Sequence, residues 1–366
     1  MYCSDGNCSR PWCHNCYPVK GCTIHKTCTE FGCCPEYKPD ILVTGCAGFI
    51  GSHLCIRLLN EGNYVVGIDN MNSYYDVNLK EENLKLLKNY SNFVFYKEDI
   101  IDTNLIKILK PKKIVHLAAL AGVRNSLLNP KDYVDTNIKG FVNILEQVKT
   151  LDSTIIFASS SSVYGTNKDI PFKETDSLNE CNSPYAVSKL CKEMYAKLYF
   201  KLYKVNSIGL RFFTVYGPRG RPDMAPYKFL KAIYTDNPIK RYGDGTSMRD
   251  YTYIDDIVEG ICCAINYSSE SSYCKIYNLG NSWPVSLNKF IQECEYVVGK
   301  KAFVIETASQ LGDVNTTYAN IELSKKELGF CPKISLNEGL KKTLNYIISS
   351  TSPYFNDNCA SIHLLS

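Results

Sequence analysis

The run Ile41-Leu42-Val43-Thr44-Gly45-Cys46-Ala47-Gly48-Phe49-Ile50-Gly51 decides the fold. Its first four residues are apolar and partly β-branched, without the alternation of a half-exposed strand, and so predict a short strand buried in a parallel sheet. Gly45, Gly48 and Gly51 then stand in G-x-x-G-x-x-G spacing. A helical pattern follows through Ser52-His53-Leu54-Cys55-Ile56-Arg57-Leu58-Leu59, and a second apolar run, Tyr64-Val65-Val66-Gly67-Ile68, ends at Asp69. In such a unit the glycines permit a tight turn, let backbone N–H groups approach a pyrophosphate, and let helix and strand pack closely. Asp69, eighteen residues past Gly51, is placed to accept hydrogen bonds from adenosine ribose hydroxyls. Its charge also repels a 2′-phosphate, so the pattern predicts NAD rather than NADP. A glycine motif alone is a weak signal. Strand, turn, helix, strand and terminal acid in that order make it specific.

More βα units follow. Phe93-Val94-Phe95-Tyr96 leads to Asp99 and Ile100, expected to line an adenine pocket. Lys113-Ile114-Val115-His116-Leu117-Ala118-Ala119 is another buried strand, whose small Ala118 and Ala119 let a cofactor lie against backbone. His116 in that apolar setting reads as a satisfied core residue. A helix is predicted from about Pro130 to Lys149, then a strand at Thr154-Ile155-Ile156-Phe157-Ala158, and a sixth strand near Ser207–Phe213. The expectation is an α/β protein: a Rossmann, doubly wound parallel sheet with a smaller C-terminal α/β substrate-binding domain. The boundaries predicted are 1–39 for a Cys-rich extension, 40–214 for the dinucleotide-binding domain, 215–350 for the interleaved second domain and 351–366 for a polar tail.

Chemistry concentrates after the fifth strand. Ser159, Ser160, Ser161 and Ser162 come first, and Tyr185 and Lys189 follow at the start of a helical run. The four-residue spacing puts phenol and ammonium on one helix face, and a nearby cation is expected to lower the phenol pKa toward neutral. With a hydroxyl from the strand end they form a proton-transfer station for an alcohol or ketone. Y-x-x-x-K pairs also arise by chance in amphipathic helices. What favours function is convergence, because the glycine turn, Asp69, Ala119 and the serines all lie at carboxyl ends of parallel strands, where ligands bind. Further on, Arg219, Arg221 and Arg249 suit a diphosphate or a carboxylate, which guanidinium matches in bidentate fashion; surface salt bridging is the plainer reading of Arg219.

The chain has 366 residues, is 45% hydrophobic and carries a net charge of +4. The charge is too small to argue for nucleic acid, and no apolar segment is long enough to suggest a membrane span. Of 18 cysteines, eight lie in the first 34 residues. There Cys13 and Cys16 form one C-x-x-C with His14 and His25 nearby, which is half of a convincing zinc pattern; no metal site is assigned, and an unstructured extension reads equally well. The other cysteines stand in apolar contexts such as Ile261-Cys262-Cys263-Ala264, as reduced thiols do in a cytoplasmic protein.

Taken together, these residues resemble the extended short-chain dehydrogenase/reductase family, and within it the NAD-dependent nucleotide-sugar epimerases and dehydratases, from about Ile41 to Tyr346. The resemblance rests on the glycine turn, His116–Ala119 with Ala121–Arg124, Ser159–Gly165, Tyr185 with Lys189, and Arg249–Asp256. Gly209–Ala225, Asp69-Asn70 with Tyr74-Tyr75-Asp76, and Gly312-Asp313-Val314 look most like the branch acting on UDP-glucuronate; where that branch carries an aromatic residue, this chain has Arg219. The resemblance implies a homodimer, joined through the helices at Pro130–Lys149 and Tyr185–Tyr203. It implies Ser160, Tyr185 and Lys189 as catalytic residues. For NAD it implies Gly45, Gly48, Phe49, Ile50, Gly51, Asp69, Asn70, Asp99, Ile100, Leu117, Ala118, Ala119, Asn137, Tyr185, Lys189 and Phe212. For a UDP-sugar it implies Arg124, Ser161, Ser162, Thr214, Arg221, Tyr242 and Arg249. The reaction implied is 4-epimerisation through a 4-keto sugar. Similar 4,6-dehydratases carry Thr-Asp-Glu where this chain has Ser160-Ser161-Ser162, and similar decarboxylases tend to carry Glu at the position of Ser162, so elimination lacks its acid and base here. Epimerisation of UDP-glucose or UDP-N-acetylglucosamine is the alternative on the substrate side, and dehydration or decarboxylation on the reaction side. A non-catalytic NAD- or nucleotide-sugar-binding protein is the alternative from another class.

Overall fold

Seven short runs pair into one parallel sheet, in a computed structural model that describes residues 38–178, 180–308 and 315–349. Nearly all of the Cys-rich extension, with its C-x-x-C, lies outside the described residues, as do Gly312-Asp313-Val314 and the tail 351–366. The sheet strands are β1 (Ile41–Thr44), β2 (Val65–Ile68), β3 (Phe93–Tyr96), β4 (Lys113–His116), β5 (Thr154–Ser160), β6 (Asn206–Phe212) and, much later in the chain, β10 (Cys274–Leu279). Their order is β10-β6-β5-β4-β1-β2-β3. The chain builds outward from β1 to β3, then restarts on the other side of β1 with β4. The reversal between β1 and β4 is a switch point, where the connections after the two strands leave in opposite directions and open a crevice.

The core strands are buried on both faces, as parallel strands between helix layers must be: β1, β2 and β5 carry no exposed residue. The register aligns the strand ends, pairing Thr44 with both Ile68 and His116, and Ser160 with Phe212. The remaining strands form two small sheets. β7 (Thr214–Tyr216), β9 (Met248–Tyr253), β11 (Pro284–Ser286) and β13 (Thr316–Thr317) make one, and β8 (Ile239–Tyr242) with β12 (Val304–Thr307) the other. β10 then returns to the main sheet beside β6, so the second half of the chain supplies an edge strand to the first.

Helix Pro184–Tyr203 starts where its sequence says it should. Ser183 caps it by accepting the Ala186 N–H, Pro184 fills the first turn, and Lys204 ends it in the left-handed conformation. Its buried face is unusually polar, holding Ser188, Lys189, Lys192 and Glu193. Glu193 takes a bidentate bond from Arg211 on β6 at 3.0 and 2.8 Å and a bond from Ser159 on β5 at 2.5 Å, while Arg211 also donates to Tyr164. A buried pair of this kind is tolerated because each partner's remaining hydrogen-bonding capacity is filled.

Two elements depart from expectation: the strand read as Lys113–Ala119 ends at His116, with Leu117–Ala119 in the loop after it, and one helix is interrupted. The predicted helix Pro130–Lys149 is present as Pro130–Tyr133 and Gly140–Val148, but the turn between them, Val134–Lys139, is a π-helix. The wider turn brings Asn137 under the loop after β4, where its carboxamide accepts from the Leu120 N–H and donates to the Leu120 carbonyl and to Ser188. Single π turns often mark functional positions.

Candidate active site

The crevice begins at the glycine turn. Gly45 is left-handed at φ +74, and a Cβ on it would stand 2.8 Å from the Ala118 nitrogen; a Cβ on Gly51 would stand 2.1 Å from the Gly45 carbonyl oxygen. No other residue fits at Gly51. Gly48 caps helix Phe49–Asn60 without a side-chain bond, and the first turn carries no acid. The first N–H groups, at Phe49 and Ile50, are therefore offered to an anion. The cradle fits the pyrophosphate of a dinucleotide.

Asp69 ends β2 as expected, buried, accepting from the Ala47 and Met71 N–H groups at 3.2 and 2.9 Å. A residue not anticipated joins it: Lys80, itself buried, stands 3.5 Å from the carboxylate and donates to Asn72. The lysine lies eleven residues on, in the first helix after the loop, and no sequence spacing rule points to it. Asn70 and Asp99 meet in a 2.8 Å bond across the ends of β2 and β3. Three members of the expected cofactor set turn elsewhere. The Ile100 side chain is 4% exposed and packs in the core against Gly140. Asn137 directs its carboxamide to Leu120 and Ser188, because the π turn lodges it beneath the loop. Phe212 is in the core at the end of β6. Leu117 and Ala118 stay beside the turn, held by the Thr44 carbonyl and hydroxyl, and Ala119 follows them in the same loop.

Ser160, Ser161 and Ser162 come off β5 into a short 3-10 turn, with the Ser160 hydroxyl accepting the Ser162 N–H and lying 3.2 Å from the Ser162 hydroxyl. Ser160 also hydrogen-bonds the Tyr185 phenol. Lys189 sits with its ammonium 5.6 Å from the Tyr185 ring centre, but it donates to the Ala158 carbonyl at 2.9 Å. This corrects the electrostatic expectation. Burial raises the Tyr185 phenol above its ordinary range, and the opposing pulls come from the Ser160 bond and the Arg221 charge. Burial also brings the Lys189 amine down to about 7.

The arginines separate. Arg221 reaches back over the Tyr74 ring, with bonds to Asp223 at 3.0 and 2.5 Å and to the Tyr74 hydroxyl at 3.4 Å. Tyr74 and Tyr133 both donate to the Ala121 carbonyl, and Tyr133 stacks edge-on against Tyr185. Tyr74, Tyr133 and Asp223 thus wall the site; the Arg221-Pro222-Asp223 spacing is the local signal that could have found the last, and nothing local points to Tyr133. Arg219, in a left-handed conformation, lies instead near Asp255 and Tyr346, beside His53, which bonds the Pro218 carbonyl. Arg124 lies over the Tyr242 ring at 5.2 Å. Thr214 pairs with Tyr251 on β9, two residues beyond Arg249, whose guanidinium bonds the Met248 and Asn315 carbonyls. His116 is a satisfied core residue, as read from its strand.

Comparison with known proteins shows the family and the fold. The family model described as GDP-mannose 4,6-dehydratase matches residues 42–343. A UDP-glucuronate 4-epimerase of Thermodesulfobacterium geofontis is 43% identical over 311 residues, covering 83% of this chain and 95% of its own. The crystal structure of UDP-glucuronic acid 4-epimerase from Bacillus cereus, in complex with UDP-glucuronic acid and NAD, superposes with a TM-score of 0.80 at 38% identity, covering 84% of this chain and 98% of that one. A UDP-glucose 4-epimerase from Thermotoga maritima, solved with UDP-glucose, superposes with a TM-score of 0.77 at 31% identity, covering 84% and 98%. The chain belongs to the NAD-dependent epimerase/dehydratase family of GDP-mannose 4,6-dehydratase.

Proposed function

We propose that this chain is an NAD-dependent UDP-sugar 4-epimerase that interconverts UDP-glucuronate and UDP-galacturonate. One observation carries the reading: the group beside the Tyr185 phenol is a row of hydroxyls, Ser160 to Ser162, with no carboxylic acid among them. Elimination of water needs an acid and a base at that place, whereas epimerisation at C4 needs only a proton acceptor and a hydrogen-bond donor for one oxygen. The higher identity to UDP-glucuronate 4-epimerases than to the UDP-glucose enzyme supports the choice of substrate.

In this reading Tyr185, whose phenolate the Ser160 bond and the Arg221 charge favour against burial, takes the proton of the sugar 4-hydroxyl and later returns it, and Ser160 donates a hydrogen bond to that sugar oxygen. NAD, when bound, takes up the C4 hydride and gives it back to the opposite face. Gly45, Gly48, Phe49, Ile50 and Gly51 hold its pyrophosphate, Asp69 its ribose, and Lys189 the nicotinamide ribose. Ser161, Ser162, Thr214 and Arg221 hold the sugar carboxylate, and Arg124, Tyr242 and Arg249 the nucleotide. Residues 40–214 chiefly bind the cofactor and 215–350 the nucleotide-sugar. The chain acts as a homodimer, and its nine free cysteines among the described residues suit a cytoplasmic setting. Among the described residues no helix is long and apolar enough to cross a membrane.

The test is incubation of purified protein with UDP-glucuronate, UDP-glucose and UDP-N-acetylglucosamine, followed by chromatography. UDP-galacturonate from the first, at a rate well above the other two, is expected. A UDP-pentose as the main product would replace epimerisation by decarboxylation.

A further inference from the structure

Lys192 lies on helix Pro184–Tyr203, one turn beyond Lys189, and is completely buried. Among the described residues no carboxylate stands within ion-pair distance of it. Glu193, its neighbour, faces the other way and is occupied by Arg211 and Ser159. The groups that do face the Lys192 amine are the Phe141 ring, 5.3 Å away, the charge of Lys189, and His116 Nε2 on β4 at 3.0 Å. His116 Nδ1 is 2.9 Å from the Thr44 hydroxyl on β1, and that oxygen accepts the Ala118 N–H at 3.2 Å. Three side chains thus cross two strands in an unbroken line. It joins the helix of Tyr185 and Lys189 to the peptide that flanks the glycine turn.

The donors can be ordered. A backbone N–H can only donate, so the Thr44 oxygen accepts from Ala118 and its own proton is free for His116 Nδ1. Among the described residues Nδ1 is the one acceptor for that hydroxyl proton, and in accepting it leaves the imidazole proton on Nε2, whose N–H then finds a lone pair on the Lys192 amine only when that amine is neutral. An ammonium at Lys192 would reverse the imidazole and leave the Thr44 proton without an acceptor. It would also sit uncompensated in a dry site beside another cation. Burial and the Lys189 charge both push Lys192 toward the neutral form, and burial does the same for His116.

We propose that Thr44, His116 and Lys192 form a one-directional hydrogen-bonded strut that fixes the Ala118 peptide of the cofactor crevice against the helix bearing Tyr185 and Lys189, which makes them positioning residues for hydride transfer. The proposal rests on the epimerase reading for its rate readout, but not for its cofactor readout. Lys192→Met and Thr44→Val each cut the strut at one end with little change of bulk. Each is expected to lower kcat on UDP-glucuronate about tenfold while KM stays within about twofold, since misplacement costs the transition state rather than binding. Each also raises the Kd for NAD about fivefold. The double variant should be no worse than the poorer single one, because both interrupt one line, and Thr44→Ser should restore kcat and Kd. In Lys192→Met the pH midpoint of kcat should not move, since a neutral amine adds no field.

Unchanged kcat and NAD affinity in both single variants would overturn the proposal. So would multiplicative losses in the double variant, or a midpoint displaced by about one pH unit. If Lys192→Met does not fold, the Val and Ser variants of Thr44, of which only Ser keeps the hydroxyl, decide alone: equal behaviour of the two defeats the strut. Failure of the wild type to epimerise would refute the epimerase reading and leave the NAD affinities to judge the strut.

Discussion

Lys189 shows what burial does to a single titratable group. Its amine, brought down to about 7 from an ordinary 10.5, binds its proton less tightly in the folded chain than in the unfolded one. Between those values the unfolded state holds more protons, so stability must rise with pH across that window. In cofactor-free protein the urea midpoint should therefore climb from about pH 7 upward, and Lys189→Met should flatten the slope by about one proton. It should not abolish it, because buried Lys192 titrates in the same sense. A slope identical in variant and wild type would mean that the Lys189 amine is not depressed. Tyr185 carries a second lesson. Its Y-x-x-x-K spacing was legible, but the sign of its shift was not, because spacing reports which face a lysine shares and not where its ammonium bonds. The ammonium goes to the Ala158 carbonyl, and the cation that pulls the phenol down is Arg221, 36 positions away in sequence. Tyr185→Phe should abolish turnover while NAD remains bound, measured by product chromatography and by cofactor content after gel filtration. Arg221→Lys loses the fork geometry that Asp223 and Tyr74 hold. It should raise KM for UDP-glucuronate about tenfold, as a lost bidentate contact does.

Elements position these residues through polar contacts that packing patterns do not encode. Apolar runs and glycines gave away β1, β2 and the turn between β1 and its helix almost to the residue, since burial on both faces demands unbroken apolar sequence, whereas β4 stops at His116, three residues short of the run read for it, and β5 continues two residues past Ala158. The π turn at Val134–Lys139 was illegible, because its cause is a long-range need: Asn137 must satisfy both polar groups of Leu120. The line from Thr44 to Lys192 was illegible for the same reason, each member being 72 or more residues from its partner. Another such clamp is Arg211 on Glu193, which ties β6 to helix Pro184–Tyr203 beneath the serines. Arg211→Met leaves a buried carboxylate unpaired and should cost about 3–5 kcal/mol, read as a lower urea midpoint at constant m. Restoring neutrality with Glu193→Gln on the same background should recover part of the loss. If it recovers nothing, packing rather than charge is what Arg211 supplies.

At the scale of the molecule, the switch between β1 and β4 explains why one crevice gathers the glycine turn, the Ala118 peptide and the serines, all delivered at aligned strand ends. It also leaves helix Pro184–Tyr203 on the outside of the sheet with two working faces. The inner face carries Tyr185 and Lys189. The outer one exposes Val187, Met194, Leu198 and Leu202, 44–61% accessible, at positions that repeat along one side of the helix. The neighbouring segments add Leu127, Leu128 and Val134, all more than half exposed. A monomer seldom leaves so continuous an apolar stripe in water, and antiparallel packing of this stripe on that of a second copy would bury it in the geometry of a helix bundle. The homodimer proposed above therefore predicts that Met194→Asp with Leu198→Asp, two charges set in the middle of the stripe, shifts the chain from about twice the monomer mass to the monomer in sedimentation equilibrium. Because Tyr185 and Lys189 ride on the opposite face, bound NAD should survive the change while the melting temperature falls. A wild-type chain that sediments as a monomer, or a charged variant that remains a dimer, would put the interface elsewhere.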